Sequence, residues 1–206
     1  MNFKVIDKYF LTEAMRMGAI EEHLDNRVVH TFEDIHLKCG EPVHSCCISI
    51  FDWLKDRTVK DYIGTILNRC HRPKEGKDHF EYDIFTMREM VWAGNHKLND
   101  SVFNRVMEWL KFDEFLPNSR IVRAEDFFIE AGKHDPHQLK YELQSYIDSQ
   151  WIAIASVNMH GTFLSEKYDI KLEDGNHAFT GCFGIGYERL AHAYLAEAKR
   201  LELQGI

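Results

Sequence analysis

The chain has few prolines, four among 206 residues, and twelve glycines, which leaves no room for a long low-complexity linker. No apolar run approaches the roughly 20 residues that span a bilayer. The first ten residues, MNFKVIDKYF, carry charges and lack the apolar core of a signal peptide. The expected location is therefore the cytoplasm, with no membrane partner. Basic residues are outnumbered, 25 Lys and Arg against 33 Asp and Glu, for a net charge of −8. No Lys/Arg cluster offsets that balance, so the bulk field opposes a polyanion and favours small-molecule or protein partners. The five cysteines, Cys39, Cys46, Cys47, Cys70 and Cys182, are odd in number and irregularly spaced. In a reducing compartment they read as buried thiols or metal ligands, not as a disulfide framework. No internal repeat is visible, and the length and apolar content fit one globular domain over residues 1–206.

What is present begins with hydrophobic periodicity. Val5, Tyr9, Phe10, Ala14 and Met17 predict a helix from Val5 to Glu22. Ile48–Lys55 is a short helix or an apolar strand, which periodicity does not decide. Thr65–Arg72 and Phe80–Ala93 read as strands joined by the polar turn Pro73–Asp78. Asn99–Lys111 is helical, with Asn99 placed to cap it. Ile121–Ile129, Leu139–Ile147 and Trp151–Val157 read as strands, and a last helix runs from about Tyr187 to Leu203. There are more strands than βαβ units can absorb, so the class is α+β: an antiparallel β-sheet flanked by helices.

The segment AFTGCFGIGYERLAHAYL (Ala178–Leu195) is the most informative. Cys182 stands just before Gly184, Gly186 and Arg189, and an apolar helical pattern follows. Two glycines let a backbone turn approach a ligand closely. Arg189, in the first turns of the helix, offers a planar, permanently charged fork for phosphate oxygens. Cys182 offers a soft metal ligand beside them.

Five segments together resemble one family. GCFGIGYERL resembles motif 3 of the class II aminoacyl-tRNA synthetases, and NRCHRPKEG through FTMREMVWAG resembles motif 2. The opening helix through DNRVVHTFEDIHLKCG resembles a reduced motif 1, although the motif 1 proline is not evident near Asp25–Asn26 and the N-terminal extension common in these ligases is expected to be absent. TMREMVWAG, LKYELQ, SVNMH and HAFTGCFGIGYER are similar, more narrowly, to the amino acid:carrier protein ligases. These are stand-alone homologues of the catalytic core of the atypical archaeal seryl-tRNA synthetase. The resemblance covers about Tyr9 to Leu195.

It implies a class II synthetase-like catalytic core that activates a small amino acid with ATP as an adenylate. The product would pass to the phosphopantetheine thiol of an acyl or peptidyl carrier protein. A homodimer is implied, and tRNA is not expected, because no RNA-binding domain fits this length. Zinc would be held by Cys47, Glu89 and Cys182, with Cys46 as the alternative to Cys47. Three protein ligands leave a fourth position for a substrate amine. Arg72 is implied as the motif 2 arginine, with Arg69 the weaker candidate, and Glu75 as the nearby acid, displaced by an extra Lys74. Arg88 would reach ATP or the adenylate, and Arg189 the phosphates. Glu142, with Lys140 beside it, would hold ATP-bound Mg²⁺. Asn158 would line the site, while His160 reads as a structural hydrogen-bonding residue. Lys55, Arg57 and Lys60 are the candidate docking spot for an acidic carrier. Two rival readings are a non-catalytic paralogue acting as a binding or regulatory module, and a tRNA-ligase core served by a separate RNA-binding subunit.

Overall fold

The computed structural model describes residues 3–24, 27–28, 38–39, 45–71, 80, 84–112, 118–129 and 135–204. Its elements run α1 (Phe3–Arg16), β1 (Ile20–Glu21), β2 (Arg27–Val28), β3 (Lys38–Cys39) and α2 (Cys46–Leu54). There follow β4 (Thr58–Val59), β5 (Asp61–His71), β6 (Ile84–Gly94), α3 (His96–Phe112) and β7 (Ser119–Ala124). The chain closes with β8 (Gln138–Ile147), β9 (Gln150–Gly161), α4 (Phe163–Tyr168), β10 (Lys171–Leu172), β11 (Phe179–Gly186) and α5 (Tyr187–Gln204). The main sheet has seven strands in the order β1-β5-β6-β11-β9-β8-β7. Only the short edge pair β1–β5 is parallel; the other pairs are antiparallel. The α+β expectation holds.

Strand alternation divides the side chains between two faces. On one face α1, α3 and α5 close over Met90, Trp92, Leu143, Ile154, Val157, Phe183 and Ile185. On the other, α2 and α4 pack over Ile66, Cys70, Val91, Ala93 and Cys182. α2 is largely apolar because it is largely buried: Cys46, Cys47, Ile48, Ile50, Phe51 and Leu54 are inaccessible or nearly so, and only Asp52 and Trp53 are half-buried. That burial settles Ile48–Lys55 as helix, which a two-residue or a 3.6-residue period could not do for so short a run.

Several expected boundaries move for identifiable reasons. The buried stripe of α1 is Ile6, Phe10 and Ala14, with Met17 just beyond, whereas Val5 stays 66% exposed. α1 ends at Arg16 and the chain turns through Gly18, at φ 96°, so Ile20 and Glu21 enter the sheet instead of extending the helix. The cap of α3 is Asn95, whose Oδ1 accepts the Leu98 N–H at 3.0 Å. Asn99 lies inside the helix, fully buried, and accepts the Trp92 Nε1–H at 2.8 Å. β7 stops at Ala124 because Asp126 accepts the Phe127 N–H through its side chain and the Ile129 N–H through its carbonyl. No helix among the described residues is long and apolar enough to cross a membrane.

Candidate metal and nucleotide site

β6 and β11 lie side by side, with Cys182 opposite Val91 and Gly184 opposite Glu89. The first turn of α2 lowers Cys47 onto the same spot. The ligand atoms of Cys47, Glu89 and Cys182 all lie within 4.8 Å of one another, and all three residues are buried. Glu89 accepts the Cys47 backbone N–H. Ser45 Oγ lies 3.3 Å from Cys47 Sγ and 3.5 Å from each Glu89 carboxylate oxygen. Gly184 is required here by space: a Cβ would fall 2.7 Å from Glu89 Oε1. Both Gly184 and Gly186 belong to β11, so the glycines expected in a ligand-facing turn are instead strand residues. The first clears a carboxylate; a Cβ on the second would meet nothing nearer than Ile154 O at 4.0 Å.

Electrostatics separate the two thiols. Cys47 is pushed well above the ordinary thiol range by its hydrogen bond to Cys182, then by burial and by the nearby Glu89 charge. Cys182 is held well below that range by the same bond, which outweighs its burial, aided by His160 and Asn158. Asn158 Nδ2 donates to Cys182 Sγ at 3.3 Å, while Asn158 Oδ1 is buried with no hydrogen-bond partner among the described residues.

These residues fit a zinc ion. The donor set is two sulfurs and a carboxylate, and zinc bond lengths of about 2.0–2.3 Å place tetrahedral ligand atoms roughly 3.5–3.8 Å apart. Cys46, the alternative ligand, points away: its Sγ lies 3.5 Å from Cys70 Sγ and 3.2 Å from Met87 O.

The rest of the same face extends sideways from the trio. Glu89 pairs with Gly184, Gly184 with Ser156, and Ser156 with Glu142. One transverse row therefore joins the trio to Glu142 across three strand spacings, about 14 Å. Gly184 and Ser156 form a low floor between the two carboxylates. Glu142 Oε2 accepts from Gln144 at 3.0 Å, and Lys140 bridges Asp126 at 2.7 Å and Glu142 at 3.7 Å. Arg189, in the first turn of α5, donates to Phe80 O at 3.0 Å and Ala153 O at 3.1 Å. It stands one turn past Gly186, the last residue of β11.

Arg88 does not join them. It precedes Glu89 on β6 and so faces the opposite side, where it is 3% exposed. There its Nε meets Asp7 Oδ1 at 2.5 Å, and its Nη2 meets Asp7 Oδ2 at 3.0 Å and Glu21 Oε1 at 3.1 Å. Burial opposes its charge, but Asp7 and Glu21 hold it above the ordinary arginine range. Arg88 fastens α1 to the sheet and is separated by the sheet from the trio. Arg69 is exposed and, by alternation, on the side of Arg88. Arg72 and Glu75 lie outside the described residues, as does the turn Pro73–Asp78. Lys55, Arg57 and Lys60 are exposed, and Arg57 stacks 4.5 Å over Trp53. Ser45, Ser156, Gly184 as a clearance and His160 beside Cys182 were not read as parts of the site. The i, i+2, i+4 spacing of Ser156, Asn158 and His160 was the available signal, since it puts all three on one face of a strand.

Comparison with known proteins gives this arrangement its setting. No family model matches the chain. It is 28% identical over 127 residues to the type-2 serine–tRNA ligase of Methanocaldococcus jannaschii, covering 55% of this chain and 24% of that one. It is 23% identical over 215 aligned positions to the corresponding ligase of Methanothrix thermoacetophila, covering 94% of this chain and 40% of that one. Among solved structures, M. kandleri SerRS in complex with A. aeolicus tRNASec superposes with a TM-score of 0.63 at 21% identity over 74% of this chain and 34% of that one. Prolyl-tRNA synthetase from Cryptosporidium parvum, complexed with L-proline and AMP, gives 0.67 at 10% identity over 93% of this chain and 45% of that one. The fold is that of a class II aminoacyl-tRNA synthetase core. The chain spans about a quarter to two fifths of the length of these serine–tRNA ligases.

The same findings correct the expectation that tRNA plays no part. The relatives are named as tRNA ligases, and one structural neighbour is bound to a tRNA. Net charge was a poor guide because it averages over the whole surface, whereas phosphate contact depends on a few local cations.

Proposed function

We propose that this chain activates a small amino acid with ATP, as the aminoacyl-adenylate, and hands the aminoacyl group to an acceptor. The observation that carries this reading is the single row of Glu89, Gly184, Ser156 and Glu142, with a three-ligand metal trio at one end and a carboxylate for Mg²⁺ at the other. Bound at Cys47, Glu89 and Cys182, zinc would supply an open coordination position that accepts an amine only as its neutral base. Asn158 Oδ1, buried beside the trio and with no hydrogen-bond partner among the described residues, is the acceptor for an N–H of that amine. The substrate carboxylate then lies over the bare floor at Gly184. Glu142 would hold Mg²⁺, which would offset phosphate charge when bound, and Arg189 with Arg72 would neutralise the charge that develops at phosphorus. Glu75 keeps only the place that motif 2 gives it. No protein nucleophile is needed: the carboxylate attacks the α-phosphorus, pyrophosphate leaves, and the protein contributes positioning and charge.

For the acceptor, tRNA is favoured by the relatives, which are named as its ligases. A second reading rests on TMREMVWAG, LKYELQ and SVNMH, which resemble carrier protein ligases and favour a phosphopantetheine thiol. A second copy of the chain would pair along the α1–β1 edge, where Val5, Met15 and Ile20 are each more than half exposed.

The test is ATP–pyrophosphate exchange across a panel of amino acids, then presentation of tRNA, holo-carrier and apo-carrier to the activated enzyme. Exchange with a small amino acid supports activation, and the loaded acceptor decides between the two readings. Absence of exchange with every amino acid would overturn the enzyme and leave a binding module.

A further inference from the structure

His160 has no part in the proposed activation, yet it is built into the back of the trio. It sits at the end of β9, two residues beyond Asn158, and is 3% exposed. Its Nε2 lies 3.7 Å from Cys182 Sγ and its Nδ1 lies 3.3 Å from Thr180 Oγ1. The ring is clamped edge-on by two phenylalanines, Phe128 at 4.9 Å and 89° and Phe51 at 5.8 Å and 77°. Phe51 belongs to α2, the helix that carries Cys47, and Phe128 to the turn after β7. Three segments thus converge to hold one imidazole against one sulfur.

We propose that His160 is a positioning residue for Cys182, donating from Nε2 to the thiolate and fixing the sulfur where it completes the metal trio. The proposal deepens the metal reading and rests on it. The direction of each bond follows from what Cys182 must be. A metal-ligating sulfur is a thiolate with no proton to give, so the hydrogen between it and the ring is on Nε2. Nδ1 is then an acceptor, and Thr180 Oγ1 donates to it. The other acceptor open to that hydroxyl, Gly161 O, lies farther away at 3.5 Å. Together with the Asn158 Nδ2–H at 3.3 Å, Cys182 takes two N–H donors that draw charge from the sulfur and fix its orientation. Outer-shell partners of this kind typically contribute about 10–100-fold to metal affinity.

The discriminating experiment titrates the full chain with Zn²⁺ and Co²⁺ against a chromophoric chelator. It compares the unaltered chain with His160→Phe, His160→Gln, Thr180→Val and Cys182→Ser, and records melting curves on metal-free samples. His160→Phe fills the aromatic clamp without a donor and should weaken metal binding by about 10–100-fold, with an altered sulfur-to-cobalt absorption band. His160→Gln keeps a side-chain N–H and should recover most of the affinity, and Thr180→Val should fall between. If His160→Phe fails to fold, the glutamine and valine variants decide. Variants that bind both metals as the unaltered chain does, with the band unchanged, overturn the role of His160. If the unaltered chain takes up no metal that Cys182→Ser removes, the metal reading itself has failed and the proposal falls with it.

Discussion

Arg88 and Glu89 are neighbours in sequence, both charged and both buried, yet the two faces of β6 give them opposite tasks. Arg88 looks into the side closed by α1, α3 and α5, where Asp7 and Glu21 already match its charge. Glu89 looks into the side packed by α2 and α4, beside the sulfurs of Cys47 and Cys182. One face is an interior that balances itself. The other gathers a carboxylate and two sulfurs in an arrangement that could hold a cation. The expectation is that stability follows from the first arrangement and chemistry from the second, because a buried anionic cluster is costly unless a positive charge joins it.

The comparison breaks most visibly at the sulfur. Cys182→Ala should remove metal altogether, a larger loss than the roughly 10–100-fold of an outer-shell change, and amino-acid activation should vanish with it while the far-ultraviolet circular dichroism stays native. Retention of metal by that variant would place the ion elsewhere. Arg189→Ala comes next: removing a donor that stabilises developing charge costs roughly 3–4 kcal/mol, or about a hundred- to a thousand-fold in exchange rate. Melting of that variant without ligands should change far less, and normal exchange would detach Arg189 from the nucleotide.

Gly184→Ala sharpens the contrast from the strand next door. Its methyl group would meet Glu89 Oε1 at 2.7 Å, so either the carboxylate shifts or the strands part. An overpacking cost of about 1–3 kcal/mol is expected, together with weaker metal binding. The check is a melting curve beside a chelator titration. Arg88→Met should do the reverse: it should destabilise the fold by about 2 kcal/mol and leave metal content at its original level. The figure falls below the roughly 3–5 kcal/mol of a fully buried pair because Asp7 and Glu21 are 22% and 29% exposed. Metal lost from Arg88→Met with no change in melting would invert the assignment of the two faces.

Much of this was legible before any coordinates. Periodicity gives α1, α3, α5 and the long strands β5, β6, β8 and β9, and the α5 pattern after Gly186 places the last helix almost to the residue. Ile48–Lys55 stays undecided, and β11 is not read as a strand. The choice of Cys47 over Cys46 rested on family resemblance, and the helix geometry shows why neighbours diverge: a 100° turn aims Cys47 at Glu89 and Cys46 at Cys70. What was not legible depends on pairing across the sheet. Arg88 was expected near ATP because adjacency in sequence was taken for adjacency in space, but alternation sends consecutive residues to opposite faces. Gly184 was expected to bend the chain, and only its register opposite Glu89 reveals a clearance. Asn99 looked like a cap until the helix was seen to begin three residues earlier. The tRNA expectation failed for a different reason, since it inferred a partner from total charge and from the length of the chain.

The most direct measurement counts zinc in protein purified without chelators and follows pyrophosphate exchange on the same sample before chelation, after it, and after zinc is restored. About one zinc per chain is expected, with exchange lost on chelation and regained with the metal. A chain that holds no zinc and still activates an amino acid would contradict the account.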